Sequence, residues 1–521
     1  LENLTCRDGS YFSGDRPVFF AGVCGWFNRG QFPQLSAMGY TCLSIELGPT
    51  ATLPSENEIN PHGADGILDV MNAARENHMV CDLLVSPHYF PDWARQKWPS
   101  TDATGWRTKT NNFMPWTITD PHFRAVIAKH LSVLIPLVRE HPALISYDLI
   151  NEAWYRLIPD FPAEMWQKYQ QEHPDLERWL ALGKMGTDSV TEFLQWFVAE
   201  LHKYDTAHPV QIKAISTQEV LNVDREAIGD ILTANGMDAM PSWPDWTGRL
   251  AADFTWPFLR HDYYRTLQPD HPILDGEYHI SDGLFPTPAS YFTAALWGLV
   301  LHGRDMTSCW VFDRVDDVSL YWHANGVEAL GRCALDFLRL GPQIQAFQRQ
   351  HGPIALFFGG VHIEDAYQAC LFQDLDIAVV TEKRILGGAL ADYQLLVIPE
   401  GTQLSPEMEQ RLSAFEKTGG TIFHCPPDKT PMELWKMVYD TKTALKLSPL
   451  VSVEQWGIEV RSVSAGERKL FYVLNHSRKP AQIRCRSAWN LTNAVNLITG
   501  KSLGAETMKL QPLEIRLIEV R

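Results

Sequence analysis

Basic residues are in short supply: 45 Lys and Arg stand against 62 Asp and Glu, a net charge of −17 with histidine neutral. Binding a phosphate backbone needs concentrated Lys and Arg, so a nucleic-acid partner is excluded. A neutral substrate such as a sugar would feel little of that field. Long apolar runs are missing too, and no segment can span a bilayer, so no membrane partner is expected. The nine cysteines contain no C-x-x-C pair and no Cys/His cluster at metal-ligand spacing, and neither a metal nor a cofactor is expected. Cys42, Cys81 and Cys309 sit inside apolar runs and read as small buried hydrophobes. The odd count leaves at least one free thiol, which fits a reduced compartment better than a disulfide scaffold. No signal peptide is visible, but the chain starts at Leu1 and a removed one would leave no trace. A cytoplasmic location and a periplasmic or secreted one both stay open. Internal repeats and low-complexity tracts are likewise missing.

What the chain has in plenty is tryptophan, 18 residues of it. Many lie in short polar segments: Trp26, Trp93, Trp98, Trp154, Trp243, Trp246, Trp310 and Trp322. Any one of them could simply fill a core, but their clustering beside strand ends favours stacking on sugar rings.

At 521 residues the chain is too long for one compact core, and two to four domains are expected. Residues 1–350 alternate short β-like runs with amphipathic helices, the pattern of a parallel sheet with crossover helices. Strands are predicted at 18–23, 41–46, 80–86, 145–150, 210–215, 236–240, 272–277 and 307–312. Eight is the number that closes a (β/α)8 TIM barrel. Asp120-Pro121 caps and opens a helix whose apolar stripe runs Phe123, Val126, Ile127, Leu131, Leu134, Ile135, Val138. Val190, Phe193, Leu194, Phe197, Val198 and Leu201 repeat that spacing. Residues 351–445 read as a small open α/β domain with strands at 354–358, 377–380, 395–399 and 421–425. Residues 446–521 read as a C-terminal antiparallel, sandwich-like β-domain with strands at 451–463, 469–475, 483–485, 495–497 and 514–520.

Functional residues of a (β/α)8 barrel lie at the C-terminal ends of its strands. The fourth predicted strand runs out of an apolar stretch into Asn151-Glu152, and the seventh delivers Glu277. Two carboxylates facing each other across the barrel mouth are what glycoside hydrolysis needs. One is protonated and donates to the leaving oxygen; the other is ionised and attacks the anomeric carbon. Repulsion between them raises one pKa and supplies the acid. A lone glutamate after a strand could equally serve a helix dipole; the pair on strands four and seven favours catalysis.

Asn151-Glu152, Glu277 and Trp310 after strand eight resemble the clan A glycoside hydrolases, which are retaining enzymes on this barrel. The resemblance implies Glu152 as acid/base, Glu277 as nucleophile, Asn151 as a donor to the sugar 2-hydroxyl and Trp310 as a platform under the ring. His88 and Trp93, after strand three, fall where such enzymes line the site. Trp243 and Trp246, after strand six, could wall the pocket or pack in a loop, and Trp26 lies after strand one. Asp313 follows Trp310 and could meet sugar hydroxyls, or belong to a solvated loop with Arg314, Asp316 and Asp317. His261-Asp262-Tyr263-Tyr264 reads as helix rather than active centre. Met237 and Asp238 with Glu46 do not make a metal site.

Ala391-Asp392-Tyr393-Gln394-Leu395-Leu396-Val397-Ile398-Pro399, followed by Leu412, Phe415 and Gly419-Gly420-Thr421, resembles the amidotransferase-like second domain of family 42 β-galactosidases. Family 164 β-mannosidases share the three-part plan. The likeness implies a homo-oligomer, a trimer with contacts through that second domain, and an exo-acting enzyme on β-linked oligosaccharides ending in galactose or mannose. Two departures set the chain beside family 42 rather than inside it. Many clan members end strand two with an arginine where this chain has Glu46, and the segment between the two glutamates is short. An endo-acting β-glycanase and an inactive carbohydrate-binding barrel stay open as alternatives. An amidotransferase is excluded: Cys425 runs into Pro426-Pro427, not into the helix that a nucleophile elbow requires.

Overall fold

The structure is a computed structural model. It describes residues 4–25, 27–85, 87–101, 118–151, 163–174, 177–214, 224–280, 287–312, 323–503 and 506–520, without the side chains of 163–166, 178–180, 182 and 183.

Eight parallel strands make the first large sheet: Phe20–Cys24, Cys42–Glu46, Val80–Leu84, Leu144–Asn151, Val210–Lys213, Asn235–Met237, Ile273–Tyr278 and Arg304–Cys309. Numbered one to eight along the chain, they lie in the order five, four, three, two, one, eight, seven, six. Across the remaining seam the Ala234 N–H donates to the Val210 carbonyl at 3.1 Å and the Asp238 N–H to that of Ala214 at 3.0 Å. The sheet is thus a nearly closed barrel. Strands one, three, four, seven and eight are buried along their whole length, as a parallel sheet covered by helices outside and side chains inside requires.

All eight predicted strands are present, with ends displaced by a few residues. The eighth starts at Arg304 rather than 307. Arg304 and Asp305 look like turn residues in the sequence, but both are buried. Arg304 pairs with Asp275 at 2.7 Å, and Asp305 accepts from the Ile273 N–H at 2.9 Å. The helices follow their stripes. Helix Pro121–Val138 is capped by Asp120, whose carboxylate accepts from the N–H groups of His122 and Phe123, and every predicted stripe residue is buried. The stripe of helix Arg178–Leu201 is buried likewise.

The amino end of the barrel is sealed by an element that the sequence did not reveal. Leu4–Arg7, Ser10–Ser13 and Arg16–Val18 form a three-stranded antiparallel sheet. Tyr11 and Val18 from it pack against the barrel-floor residues Phe20, Val80, Ile145, Leu274 and Met306. The Tyr11 hydroxyl donates to the Ile145 carbonyl at 3.3 Å, which leaves the opposite, carboxyl end open.

Beyond the barrel, Ile354–Phe357, Ile377–Val380, Leu395–Ile398 and Thr421–His424 form a parallel sheet in the order second, first, third, fourth. Helix Pro406–Lys417 of this unit begins as predicted, with the Ser405 hydroxyl accepting from the Met408 N–H. The last unit is antiparallel: Ile458–Ala465, Arg468–Asn475, Ile515–Val520 and Val495–Asn496 in one sheet, Ala481–Arg484 and Thr507–Leu510 in another.

A buried ionic cluster locks the three units together. Arg461 of the last unit reaches Asp262 of barrel helix Thr255–Leu267 and Asp376 of the middle unit, both at 2.8 Å. Arg265 meets the same Asp376 at 2.8 Å. His302 lies between Asp262 at 3.0 Å and Glu459 at 2.8 Å. His261 and Asp262 are therefore helical, as expected, and Asp262 belongs to this junction.

Candidate active site

Three barrel strands end in polar side chains that converge on one cavity. Strand four ends at Asn151, strand five at Lys213, and strand seven carries Glu277 one residue from its end. The cavity has a volume of about 230 Å³. Its wall among the described residues includes Glu46, His88, Tyr89, Asn151, Lys213, Glu277 and Trp310. Asn151 is paired in register with Lys213 on the neighbouring strand. Four of the sequence-predicted residues (His88, Asn151, Glu277 and Trp310) thus meet at one place. Glu152 follows Asn151 directly in the chain and lies outside the described residues, as do Trp26 and Asp313.

Trp93 and Trp243 are not among the described residues that line the cavity. The Trp93 indole N–H donates to the Leu53 carbonyl at 2.9 Å and its ring meets Trp98 edge-on at 5.8 Å. Trp243 packs on Tyr291 at 5.7 Å. Each ring is a large apolar surface with a core to bury against, which outweighs display to solvent. Trp246 is exposed.

Glu277 is closely held. Only 5% of it is exposed. Burial alone would raise its pKa, but Lys213 first and His279 second outweigh burial, and the carboxyl is held below the usual range. Lys213 Nζ is 3.5 Å from Glu277 Oε2 and 3.7 Å from Asp148 Oδ2, and Lys213 itself is buried. His279 Nε2 is 3.4 Å from Glu277 Oε1 and 3.5 Å from Asp238 Oδ1. Each carboxylate oxygen of Glu277 therefore has its own nitrogen partner, which favours the anion and fixes its plane.

His88 is the opposite case. Burial, with Lys213 second, brings its pKa down to about 4, so the imidazole is neutral at ordinary pH. The Trp310 backbone N–H donates to the Tyr278 carbonyl at 3.0 Å, and its ring lies 6.1 Å from that of His279; the Trp310–Val311 peptide is cis.

A polar layer lies one step deeper in the barrel. The Ser146 hydroxyl donates to Asp82 Oδ1 at 2.5 Å and the Gln211 amide to Asp82 Oδ2 at 3.0 Å. Burial pushes the Asp82 and Asp148 carboxyls above their usual range, with Lys213 opposing it at both. Gly276 makes room for this layer: a Cβ there would come within 2.9 Å of Lys213 Cε.

Lys213, His279, Asp148 and Asp82 were not singled out from the sequence. For Asp82 the signal was present, since a charged residue inside the run Val80-Cys81-Asp82-Leu83-Leu84 has no solvent face in a parallel sheet. For metal binding, the ligand atoms of Asp238, Glu277 and His279 lie within 4.8 Å of one another. His279 Nε2 lies between the two carboxylates, 3.4 Å from Glu277 Oε1 and 3.5 Å from Asp238 Oδ1.

No family model matches the chain, and no curated protein matches it. Solved structures do. A family 42 (GH42) exo-carrageenase from Bacteroides ovatus is similar with a TM-score of 0.78 at 18% identity, over 99% of this chain and 84% of that one. A β-galactosidase from Bacillus circulans sp. alkalophilus is similar with a TM-score of 0.80 at 12% identity, over 97% and 99%. An α-L-fucosidase isoenzyme 2 from Paenibacillus thiaminolyticus is similar with a TM-score of 0.65 at 12% identity, over 95% and 96%. At these identities the likeness is one of fold, and it covers all three units: barrel, small parallel sheet and antiparallel sheets.

Proposed function

We propose that the chain is a retaining glycoside hydrolase that removes a terminal β-linked hexose, galactose or mannose, from an oligosaccharide. The observation that carries this reading is Glu277: an ionised, buried carboxylate with each oxygen held by a cation or imidazole, on the wall of a cavity at the carboxyl end of a glycoside-hydrolase barrel. The junction carboxylate Asp262 is also buried between cations and an imidazole; what sets Glu277 apart is its place on the cavity wall.

The chemistry follows. The sugar ring sits on Trp310, with its anomeric carbon towards Glu277. A Glu277 oxygen attacks that carbon as Glu152 donates its proton to the leaving oxygen, so the C–O bond to the aglycone breaks as the glycosyl–enzyme ester forms. Water, deprotonated by Glu152, then attacks the same carbon, releases Glu277 and returns the proton. Asn151 donates to the 2-hydroxyl, a contact that strengthens as positive charge develops on the ring. Neutral His88 lends the wall a polar group without a competing charge. A cavity of about 230 Å³ falls below the ~300–1,000 Å³ of pockets that take drug-sized ligands. That favours one ring at a time, hence exo over endo action.

The boundaries 1–350, 351–445 and 446–521 mark a catalytic barrel, an oligomerisation domain and a C-terminal β-domain, and the assembly is a trimer. Light scattering on the purified chain tests the last point, and a monomer overturns it.

The function is tested with a panel of aryl β-glycosides. Wild type hydrolyses at least one member, Glu277→Ala loses about 10⁴-fold or more of kcat, and azide or formate restores part of the turnover by taking the place of the missing carboxylate. A Glu277→Ala protein with near-wild-type activity would remove the nucleophile assignment.

A further inference from the structure

Glu46 has no part in the mechanism above, yet it stands in the same cavity. It is the last residue of strand two and pairs in register with Leu84, another wall residue. The Tyr89 hydroxyl donates to Glu46 Oε1 at 2.7 Å. Tyr89 itself is 43% exposed and stands at the rim.

Both residues are held in place. The Leu47 N–H donates to the Leu84 carbonyl at 3.0 Å, and the Thr50 N–H to the Tyr89 carbonyl at 3.0 Å, with the Thr50 hydroxyl on that same carbonyl. The turn after strand two is thus tied to the turn after strand three from both sides of the Glu46–Tyr89 contact. A preorganised acceptor of this kind is built for a ligand that brings donors.

The chemistry of that ligand follows from the charges. An ionised carboxylate offers about four lone-pair sites and no donor. With one taken by Tyr89, capacity remains for two hydroxyls of a sugar, in charge-assisted bonds roughly twice as strong as neutral ones. Among the described residues the wall holds two carboxylates, Glu46 and Glu277, and one lysine, Lys213, which is shared between Glu277 and Asp148. Burial keeps His88 neutral, so it adds no positive charge. A sugar bearing its own carboxylate or sulfate would meet the like charge of Glu46 and Glu277 at this wall.

We propose that Glu46, steadied by Tyr89, reads a pair of hydroxyls on an uncharged glycone and makes the cavity refuse glycones that carry a carboxylate or a sulfate. This deepens the hydrolase reading and rests on it for the placement of the glycone. Glu46 contacts substrate and sets specificity; Tyr89 is a positioning residue.

The test pairs 4-nitrophenyl β-glycosides that differ in charge: galactoside with galacturonide, glucoside with glucuronide, mannoside with its 6-sulfate. Wild type, Glu46→Gln and Tyr89→Phe are compared on each pair. The matching methyl glycosides are then tested for binding to Glu277→Gln by ligand-observed NMR, which reads occupancy without turnover. Wild type is expected to favour the neutral partner by about 100-fold or more, as like charges in a shielded pocket repel strongly. Glu46→Gln, which keeps shape and loses charge, should lower kcat/KM on neutral glycosides ~10- to 100-fold and bring the neutral-to-anionic ratio within about tenfold. Tyr89→Phe should raise KM several-fold with kcat little changed.

Equal turnover of neutral and anionic partners overturns the proposal and leaves the hydrolase reading intact, as does a Glu46→Gln protein with unaltered kcat/KM and ratio. Selective binding of neutral glycosides without turnover by wild type overturns the hydrolase reading and supports this one. If no neutral glycoside is bound or turned over, the proposal is overturned.

Discussion

Lys213→Met is the substitution that bears hardest on the chemistry. Methionine matches the lysine stem in length and removes only the charge. The ammonium lies 3.5 Å from Glu277 and 3.7 Å from Asp148. With an effective dielectric of about 20, Coulomb's law puts roughly 5 kcal/mol between unit charges at the shorter distance. An opposite charge this close ordinarily moves a carboxyl by roughly 1–3 pH units. Glu277 attacks only as the anion, and Lys213 is the largest influence holding its pKa down against burial. Removing it favours the protonated form, so activity is lost from the acid side. In a pH series of kcat/KM on an aryl β-glycoside, the acidic limb should rise by roughly 1–3 pH units. The deficit should be at most a few-fold to ~200-fold at pH 5 and shrink as pH rises through the displaced limb. Lys213→Arg, which keeps the charge, should leave the limb near its wild-type position. A Lys213→Met protein, folded by its melting profile, whose limb coincides with that of wild type would refute the reasoning. So would a loss that is uniform across pH.

Two further predictions concern stability. Arg461→Met strips the shared cation from Asp262 and Asp376 in the buried junction, and removing one partner of such a pair costs about 3–5 kcal/mol. Calorimetry should show earlier melting, and an unchanged profile would remove the junction from the list of what holds the units together. Asp305 is fully buried, and burial brings its pKa up to about 8 against the help of the Ile273 N–H and Ser10. Its folded pKa therefore exceeds the unfolded value of about 3.9, and the folded state keeps a proton that the unfolded state releases between them. The stabilisation is whole below about pH 4 and falls as pH rises towards 8, by roughly 1 kcal/mol per pH unit. Denaturant unfolding of Asp305→Asn should lack that slope; parallel curves for variant and wild type between pH 5 and 8 would contradict it.

The pattern of what was legible has a physical basis. Asn151 and Glu277 could be read because an apolar run that ends in a polar side chain marks the carboxyl end of a buried strand, and the barrel places all such ends on one face. Helix Pro121–Val138 could be read because its cap and its stripe are local. Lys213 could not be assigned, because Val210-Gln211-Ile212-Lys213 alternates like a strand with one wet face. Only the closed barrel turns that polar face inward onto Glu277. The junction was invisible for another reason: Asp262 and Arg461 stand 199 residues apart, and neither carries a local sign of the other. The N-terminal sheet escaped because its strands are three or four residues long and interleaved with Arg7, Asp8 and Arg16. Trp93 and Trp243 show the limit of composition: both lie near strand ends, and neither is among the described residues that line the cavity.

The central claim is that Glu277 becomes covalently bound to the sugar. It is tested most directly by incubating the protein with 2,4-dinitrophenyl 2-deoxy-2-fluoro-β-glycosides of the galacto and manno series and mapping the product by peptide mass spectrometry. The fluorine slows the second step more than the first, so the ester accumulates. The account predicts one glycosyl group per active site, on the peptide that contains Glu277, formed in step with loss of activity. A label on another carboxylate, or steady turnover with no label at all, would contradict it.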